Sequence, residues 1–227
     1  MIKLIYKIHK KGITNLTKNI LEYTYYKLFK LQSKFEFQGK AYNYFYHRYN
    51  NTWKNERRVE VPIVMEFIKN YKDKRILEIG AVLPHYFRIK HDVLDKFERG
   101  KDIINKDMVD FKPEYKYDLI VSISTLEHVG FDDTIKDAKQ VIKAIKNLRR
   151  NCLNIRGVAV ITFPIGYNKD LDKFLFTRKI EFDSIAFMKK INKNKWKETQ
   201  MKEILSSKYG IPFPYANAIA IATIIKS

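Results

Sequence analysis

The chain has 227 residues, of which 45% are hydrophobic and 30% charged, with a formal net charge of +19 and one cysteine, Cys152. This length suits one α/β domain with an extension rather than two full domains, and the composition excludes a wholly disordered chain. One cysteine excludes an internal disulfide framework and a cysteine-based structural zinc site, and it fits a reducing cytoplasm. No run approaches the roughly 20 apolar residues of a membrane-spanning helix, and the basic N-terminus lacks a signal peptide's apolar region. We therefore expect a cytoplasmic protein.

The charge is unevenly distributed along the chain. Residues 1–75 carry 17 Lys and Arg against 6 Asp and Glu, residues 76–135 carry 8 against 12, and residues 136–227 carry 19 against 7. Basic flanks favour an anionic partner such as nucleic acid, an acidic membrane surface or a phosphate-bearing glycan precursor. A lysine-rich genome composition would give the same charge without any partner. Composition alone does not separate these alternatives.

Residues 1–62 are predicted to form a basic, aromatic and helical extension or cap. Apolar residues recur at helical spacing over Ile13–Leu31, which predicts an amphipathic helix that packs on the domain, lies on a membrane or covers the active site. The segment 35–53 interleaves aromatic residues with His47, as in a packed cap or a surface that stacks on sugars. Pro62 suits the first turn of a following helix. The charged residues just before this helix form either a lid over the cofactor or a solvated patch, and they are Glu56, Arg57, Arg58 and Glu60.

Residues 63–227 are predicted to form one α/β domain. Two apolar runs, RILEIG and YDLIVSIS, end abruptly in polar or glycine residues, which is typical of strands buried on both faces of a parallel sheet. Pro84 leaves room for only an abbreviated first crossover, and helices are predicted at 132–149 and 196–207. The seven predicted strands are 75–80, 91–95, 103–108, 117–124, 158–163, 184–191 and 218–226.

The ends of the strands carry residues with chemical potential. An acidic residue, a glycine and a Glu-His pair follow strand ends, and open α/β sheets bind ligands at the carboxyl ends of their strands. The order ILEIG, HDVLD, KDM, YDLIVSISTLEHV and GVAVITFP, from about Arg75 to Pro164, resembles motifs one to five of the class I S-adenosylmethionine-dependent methyltransferases. The resemblance implies a three-layer α/β/α sandwich with a Rossmann-like methyltransferase fold. Its mostly parallel seven-stranded sheet would have an antiparallel seventh strand.

The loop after the first strand indicates a ligand without phosphates. Gly80 is followed by AVLP rather than by the further glycines that let backbone amides approach a pyrophosphate. The resemblance implies that Gly80 abuts the methionine part of S-adenosylmethionine, that Glu78 orders the loop and that Asp95 accepts from the ribose hydroxyls. For Asp95, a simple surface carboxylate is the alternative.

The resemblance implies contacts for the rest of the cofactor as well. Asp107 would take the adenine amine, Met108 would pack against the ring, and the stretch from Ser122 to Ser124 would line the sulfonium side. In full, the implied cofactor-binding residues are Glu78, Gly80, Ala81, Asp95, Asp107, Met108, Ser122 and Ser124.

His128 and Glu127 directly follow the fourth predicted strand and are the candidate catalytic pair. A hydroxyl nucleophile loses a proton as it takes a methyl group, and histidine, with an unperturbed pKa of about 6.5, is the usual base. A loop histidine that only hydrogen-bonds the backbone is the alternative. Tyr167, Asn168 and His47 are second-tier candidates for substrate contacts. The His, Asp and Glu residues do not have the spacing of a metal-ligand set.

Three further runs narrow the resemblance. TWKNERRVEVP at 52–62, EIGAVLPHY at 78–86 and FPYANA at 213–218 resemble prokaryotic methyltransferase-like proteins associated with cell-surface glycan synthesis. We therefore predict a methyltransferase that acts on a hydroxyl or similar nucleophile of a glycan precursor or other small molecule. The alternatives are an RNA methyltransferase that uses the basic flanks, and a non-catalytic relative that docks on the inner membrane face or on a partner. STLEH after the fourth strand replaces the aromatic tetrapeptide used on base amines, which argues against base methylation.

Overall fold

The computed structural model describes Thr17, residues 21–29 and residues 33–227. Residues 21–29 are helical, as predicted for this part of the chain, and Tyr23 packs its ring 5.3 Å from that of Trp53. No helix among the described residues is long and apolar enough to cross a membrane. Several apolar positions of the predicted helix lie outside the described residues, namely Ile13, Leu16, Ile20 and Leu31.

An eight-stranded mixed sheet lies at the centre of the molecule, with the spatial order β5-β4-β3-β6-β7-β10-β8-β9. Its strands are β3 (Ile76–Ile79), β4 (Asp92–Leu94), β5 (Ile103–Ile104), β6 (Tyr117–Ile123), β7 (Leu153–Pro164), β8 (Ser184–Asn192), β9 (Lys195–Thr199) and β10 (Ala218–Ile225). Strands β3 to β7 are parallel, and β10 runs antiparallel between β7 and β8. The seven predicted strands are therefore present, with the last one antiparallel, and β9 adds an eighth. The predicted strand 103–108 is shorter than expected.

Helices cover both faces of this sheet, which gives the three layers of a Rossmann-like α/β/α fold. On one face lie α2 (Lys139–Asn147) and α3 (Lys169–Phe176), whose inner residues join a large apolar cluster with β6 and β7. On the other face lie α1 (Arg57–Asn70) and a hairpin of β1 (Lys34–Phe37) and β2 (Lys40–Asn43). Strands β3 and β6 between these layers are almost fully buried, as their runs of Ile, Leu and Val predict.

Helix α1 begins earlier than the sequence suggested. Pro62 was expected in the first turn, but the helix starts at Arg57, so the proline lies inside it. A proline removes the hydrogen bond to the carbonyl four residues before it. That carbonyl, of Arg58, accepts the backbone N–H of Phe45 at 2.9 Å instead. The interruption in the helix thus becomes an attachment point for the N-terminal segment.

The buried Arg58 side chain joins the N-terminal segment to the β8–β9 hairpin. Its guanidinium stacks 4.1 Å from the Tyr44 ring and donates to the Tyr46 hydroxyl at 2.9 Å. It also donates to the carbonyls of Lys193 and Asn194, at 3.3 and 3.2 Å. The division proposed at residue 62 falls inside α1, and the hairpin β1–β2 shares an apolar cluster with β8, β9 and β10.

Two predicted helices differ from the structure. The segment 196–207 was predicted as a helix, but it forms the rest of β9 and a short 3-10 turn, because Trp196 is drawn into the core and its backbone N–H donates to the Tyr44 hydroxyl. The helix predicted at 132–149 begins only at Lys139, after Asp137 accepts the Lys139 N–H at 2.9 Å. The preceding loop leaves the Ile135 side chain 84% exposed.

Candidate functional site

A cavity of about 310 Å³ opens at the carboxyl ends of β3, β4 and β6. Open α/β sheets bind ligands at this position, and small-molecule sites span roughly 300–1,000 Å³. Gly80, Asp95 and Ser124, which directly follow the three strands, all line it. The predicted site residues that line the cavity are Gly80, Ala81, Asp95, Asp107, Met108, Ser124 and His128.

The loop after β3 offers no free backbone N–H to a phosphate. Of the four amides in 80–83, the first donates to a carbonyl of β4 and the second to Asp95 Oδ2 at 3.0 Å. The third and fourth donate to Glu78 Oε1 at 2.9 and 2.7 Å. A dinucleotide-binding loop instead turns such amides towards a pyrophosphate. The cavity therefore fits a ligand that has no phosphate at this loop.

Position 80 in this turn requires a glycine. Its φ of 84° lies in the left-handed region, and a Cβ atom added there would lie 2.0 Å from Oγ1 of Thr125. Both the backbone conformation and the close approach of Thr125 therefore exclude a side chain. The two strand ends β3 and β6 meet at this contact.

Asp95 holds the wall formed by the end of β4. Its Oδ1 accepts the N–H groups of Phe97 and Glu98 at 2.8 and 2.7 Å, while Oδ2 accepts the loop amide described above. A carboxylate has about four acceptor positions, so Asp95 keeps one for a ligand. Glu98 lines the same wall and lies 3.3 Å from His85 Nε2. The His85 ring stacks on Tyr49 at 4.4 Å, which brings the N-terminal segment to the cavity.

Asp107 and Met108 follow β5 in the chain, and both line the cavity. Asp107 accepts the Val109 N–H at 2.9 Å and pairs with Lys96 at 2.9 Å. Hydrogen bonds from Lys96 to Asp133 and Asp107 raise the pKa of this lysine. Asp107 is therefore already neutralised in part, and Met108 supplies an apolar surface beside it.

Ser124 connects the cavity to a buried glutamate. Its backbone has a φ of 42°, and its hydroxyl lies 2.9 Å from both carboxylate oxygens of Glu60. Burial, reinforced by the nearby Glu56, raises the pKa of Glu60 to about 7. Ser122 does not line the cavity; it is fully buried, and its hydroxyl has no hydrogen-bond partner among the described residues.

His128 has a fixed orientation at the cavity. Its Nδ1 lies 2.5 Å from Asp132 Oδ2, and the Tyr167 hydroxyl donates to the same oxygen at 3.2 Å. The Tyr167 ring also packs edge-on against the imidazole, with centroids 5.0 Å apart. A carboxylate on Nδ1 favours the tautomer with the proton on that nitrogen, which leaves Nε2 able to accept a proton.

Other predicted site residues support the cavity without lining it. Glu127 is buried behind His128, with its Oε1 3.6 Å from Nε2, and burial raises its pKa well above the usual range. Asn168 caps α3 and donates to the Glu127 carbonyl at 2.7 Å. His47 stacks on the Phe45 ring, away from the cavity.

Arg57, at the start of α1, is a lining residue with an available charge. Its guanidinium forms no ion pair or hydrogen bond with the residues that the structure describes, whereas Lys96, which also lines the cavity, is held by two carboxylates. Its positive charge lowers the pKa values of Glu60 and Glu127, against the larger effect of burial. An anionic group of a ligand would find its counterion here.

No family model and no curated protein matches the sequence. Among solved structures, the chain is similar to the N-methyltransferase NodS from Bradyrhizobium japonicum WM9 in complex with S-adenosyl-L-homocysteine, with 14% identity, 76% of this chain and 88% of that chain covered, and a TM-score of 0.44. It is also similar to an rRNA methylase from Escherichia coli, with 18% identity, 76% of this chain and 65% of that chain covered, and a TM-score of 0.40. A third similar structure is that of the sugar N-methyltransferase KedS8 from Streptoalloteichus sp. ATCC 53650, with 9% identity, 70% of this chain and 83% of that chain covered, and a TM-score of 0.34.

Several residues that line the cavity or hold its lining side chains were not singled out from the sequence. Thr125, Asp132 and Glu98 lie within five residues of predicted ones, but only the folded loops show which way they face. Tyr49 and Arg57 come from the N-terminal segment and reach the cavity through tertiary packing. The sequence shows that Arg57 belongs to a charged run before a helix. This pattern alone did not distinguish a lid over the cofactor from a solvated patch.

Proposed function

We propose that the protein is a methyltransferase that binds S-adenosylmethionine in the cavity at the carboxyl ends of β3, β4 and β6. The observation that carries the proposal is the loop 80–83, whose amides are all satisfied within the protein, beside carboxylates that suit a ribose. Asp95 and Glu98 would accept from the ribose hydroxyls, and Arg57 would pair with the carboxylate of the methionine part. Asp107 and Met108 would hold the adenine.

The acceptor would approach from the side of His128. When bound, the cofactor supplies an electrophilic methyl group on a sulfonium. His128 Nε2 would take the proton that a hydroxyl or similar nucleophile loses, while Asp132 holds the imidazole through Nδ1. The rings of Tyr167 and Tyr209, with centroids 5.1 Å apart, lie beside this position and suit the apolar face of a sugar. We therefore propose a glycan precursor or another small molecule, methylated in the cytoplasm, as the acceptor.

Calorimetry tests the proposal with three ligands. The full chain is titrated with S-adenosylmethionine, with S-adenosylhomocysteine and with NAD. We expect both methionine-derived ligands to bind and NAD not to bind, because the loop has no amide left for a pyrophosphate. Absence of heat with the first two at high protein concentration, or tighter binding of NAD, would defeat the proposal.

RNA is the alternative acceptor, and the basic flanks favour it. Binding of RNA through phosphate contacts weakens steeply as salt increases. Filter binding of a single-stranded RNA across a salt series discriminates the two acceptors. Tight, salt-sensitive binding that protects the cavity from S-adenosylhomocysteine exchange would favour RNA, and absent binding would remove it.

A further inference from the structure

A second opening lies at the opposite ends of β3 and β4, where these strands begin. It is a cleft of about 550 Å³ between the C-terminal part of α1 and the segment 87–92. Parallel strands are usually joined by a helix that packs on the sheet. The connection from β3 to β4 contains only a 3-10 turn at Leu83–His85, so no crossover helix covers this region. The cleft is thus a product of the abbreviated crossover.

Positive charge surrounds this cleft. Its charged side chains, apart from His91, are Lys72, Lys74, Arg75, Arg88, Lys90 and Asp92. Arg75 lies 3.6 Å from Asp92, and the other four cations form no ion pair with any part of the chain that the structure describes. Uncompensated like charges around a concave surface raise the local concentration of anions.

The floor of the cleft is aliphatic rather than polar. It is formed by Met65, Ile68, Ile76 and Ile89, with Phe87 as the one Phe, Tyr or Trp in the lining; the His91 ring is held by Glu78. A free phosphate gains nothing from such a floor, and single-stranded nucleic acid stacks its bases on aromatic rings. A hydrocarbon chain that lies along the floor is removed from water, and this burial of apolar surface favours binding.

We propose that this cleft binds an anionic lipid of a membrane, with its phosphate head group among the cations and the first part of its hydrocarbon chain along the aliphatic floor. The site is separate from the cavity of the proposed methyl transfer. It would bring the enzyme to an acidic membrane surface through one lipid.

Vesicle flotation of the full chain tests the membrane arm. Phosphatidylcholine vesicles are compared with vesicles that also contain phosphatidylglycerol, using the wild type, Lys72→Glu/Arg88→Glu, and the control Lys139→Glu/Lys146→Glu on the other face of the sheet. All four positions are exposed, so circular dichroism should show that the variants fold. We expect binding to the acidic vesicles alone and a loss of at least about tenfold in the cleft variant only, because each cation near an acidic surface favours binding. Equal losses in both variants, or equal binding to neutral vesicles, would overturn the proposal.

A soluble arm separates the lipid from a free phosphate and from RNA. Dihexanoyl phosphatidic acid, below its micelle concentration, is compared with glycerol 3-phosphate by calorimetry. We expect the lipid to bind about tenfold more tightly or better, since several methylenes would leave water, and the cleft variant to lose this binding. Equal affinities would show a simple anion site. A single-stranded RNA that binds more tightly than the lipid and is lost in the same variant would also overturn the assignment.

Discussion

Gly80 has two separate reasons to be a glycine, and substitution can tell them apart. In Gly80→Ala the new methyl group would meet Thr125 in addition to the strain of a positive φ. Gly39, in the β1–β2 turn, also has a positive φ (73°), but no atom lies within 4 Å of its Cβ position. We expect Gly39→Ala to cost about 1 kcal/mol of unfolding free energy, and Gly80→Ala to cost more and to abolish binding of S-adenosylhomocysteine. Urea unfolding and calorimetry check both effects, and equal behaviour of the two variants would contradict the clash.

The Asp132 carboxylate should fix the tautomer of His128. Nitrogen NMR of labelled protein distinguishes a proton on Nδ1 from one on Nε2 at a pH where the ring is neutral. We expect the Nδ1–H form in the wild type and in Tyr167→Phe, because Asp132 accepts from Nδ1 in both. Asp132→Ala should increase the Nε2–H population. An unchanged tautomer in Asp132→Ala would remove the orienting role of this carboxylate.

Glu60 should make stability depend on pH. Its folded pKa of about 7 exceeds its unfolded value of about 4.5, so the folded state binds the extra proton between these values. Stability from this group is fully present below pH 4.5 and is lost as pH rises towards 7, with a limiting slope of about 1.4 kcal/mol per pH unit. Urea unfolding at several pH values should therefore show a flatter profile for Glu60→Gln than for the wild type.

Glu66 provides a control of opposite sign for this experiment. Its hydrogen bond with the exposed Lys40 lowers the Glu66 pKa, so its contribution is present at neutral pH and is lost as pH falls. Glu66→Gln should therefore leave the falling stability between pH 4.5 and 7 in place. A profile for Glu60→Gln that parallels the wild type would mean that Glu60 is ionised in the folded protein.

At the scale of the elements, two adjacent arginines at the start of α1 have different tasks. Arg58 is buried and holds the β8–β9 hairpin, whereas Arg57 faces the cavity. We expect Arg58→Met to lower the unfolding free energy by about 3 kcal/mol, since it removes the donor to the buried Trp53 carbonyl and to the partly buried carbonyls of the hairpin turn. Arg57→Met should change stability little and weaken S-adenosylhomocysteine binding about tenfold or more. Urea unfolding and calorimetry on both variants give the comparison, and matching effects would refute the division of roles.

Elements whose pattern is local were predictable, and those set by tertiary contacts were not. Strands β3 and β6 follow from their apolar runs, because both faces are buried. The hairpin β1–β2 was not predicted, although Gln38-Gly39 is a possible hairpin turn in the sequence. The two residues have φ values of 49° and 73°, and the many aromatic residues around them indicated a packed cap instead. The segment 196–207 contains helix-forming residues, but pairing of β9 with β8 and burial of Trp196 outweigh that preference.

The candidate site was predictable at strand ends and unpredictable elsewhere. Gly80, Asp95 and Ser124 follow strands directly, so parallel topology alone places them together. Ser122, two residues before Ser124, was expected in the same place, but the left-handed backbone at Ser124 ends the strand and leaves Ser122 in the core. Arg57 reaches the cavity only because α1 begins before Pro62.

At the scale of the whole molecule, the part of the N-terminal segment between Phe35 and Tyr44 packs into the core of the sheet. Phe35, Phe37 and Tyr44 pack in one apolar cluster with Trp196 and Ile219 of the sheet. We expect the fragment 63–227 to be unfolded or insoluble, because it cuts α1 and exposes this cluster to water. Circular dichroism and urea unfolding of the fragment beside the full chain provide the measurement. A cooperative transition in the fragment would show that the segment is a separate cap.

Glu78 stands between the cavity and the cleft. One of its oxygens holds the amides of Val82 and Leu83, and the other lies 3.0 Å from Nε2 of His91 in the cleft wall. A ligand in the cleft that shifts the His91 ring would therefore also shift the loop 80–83, against which the nucleoside is proposed to bind. Thermodynamic linkage makes this effect reciprocal: the factor by which a ligand in the cleft changes the affinity of the cavity for its ligand equals the factor in the opposite direction. The Glu78 carboxylate would thus couple ligand binding at the two ends of the sheet.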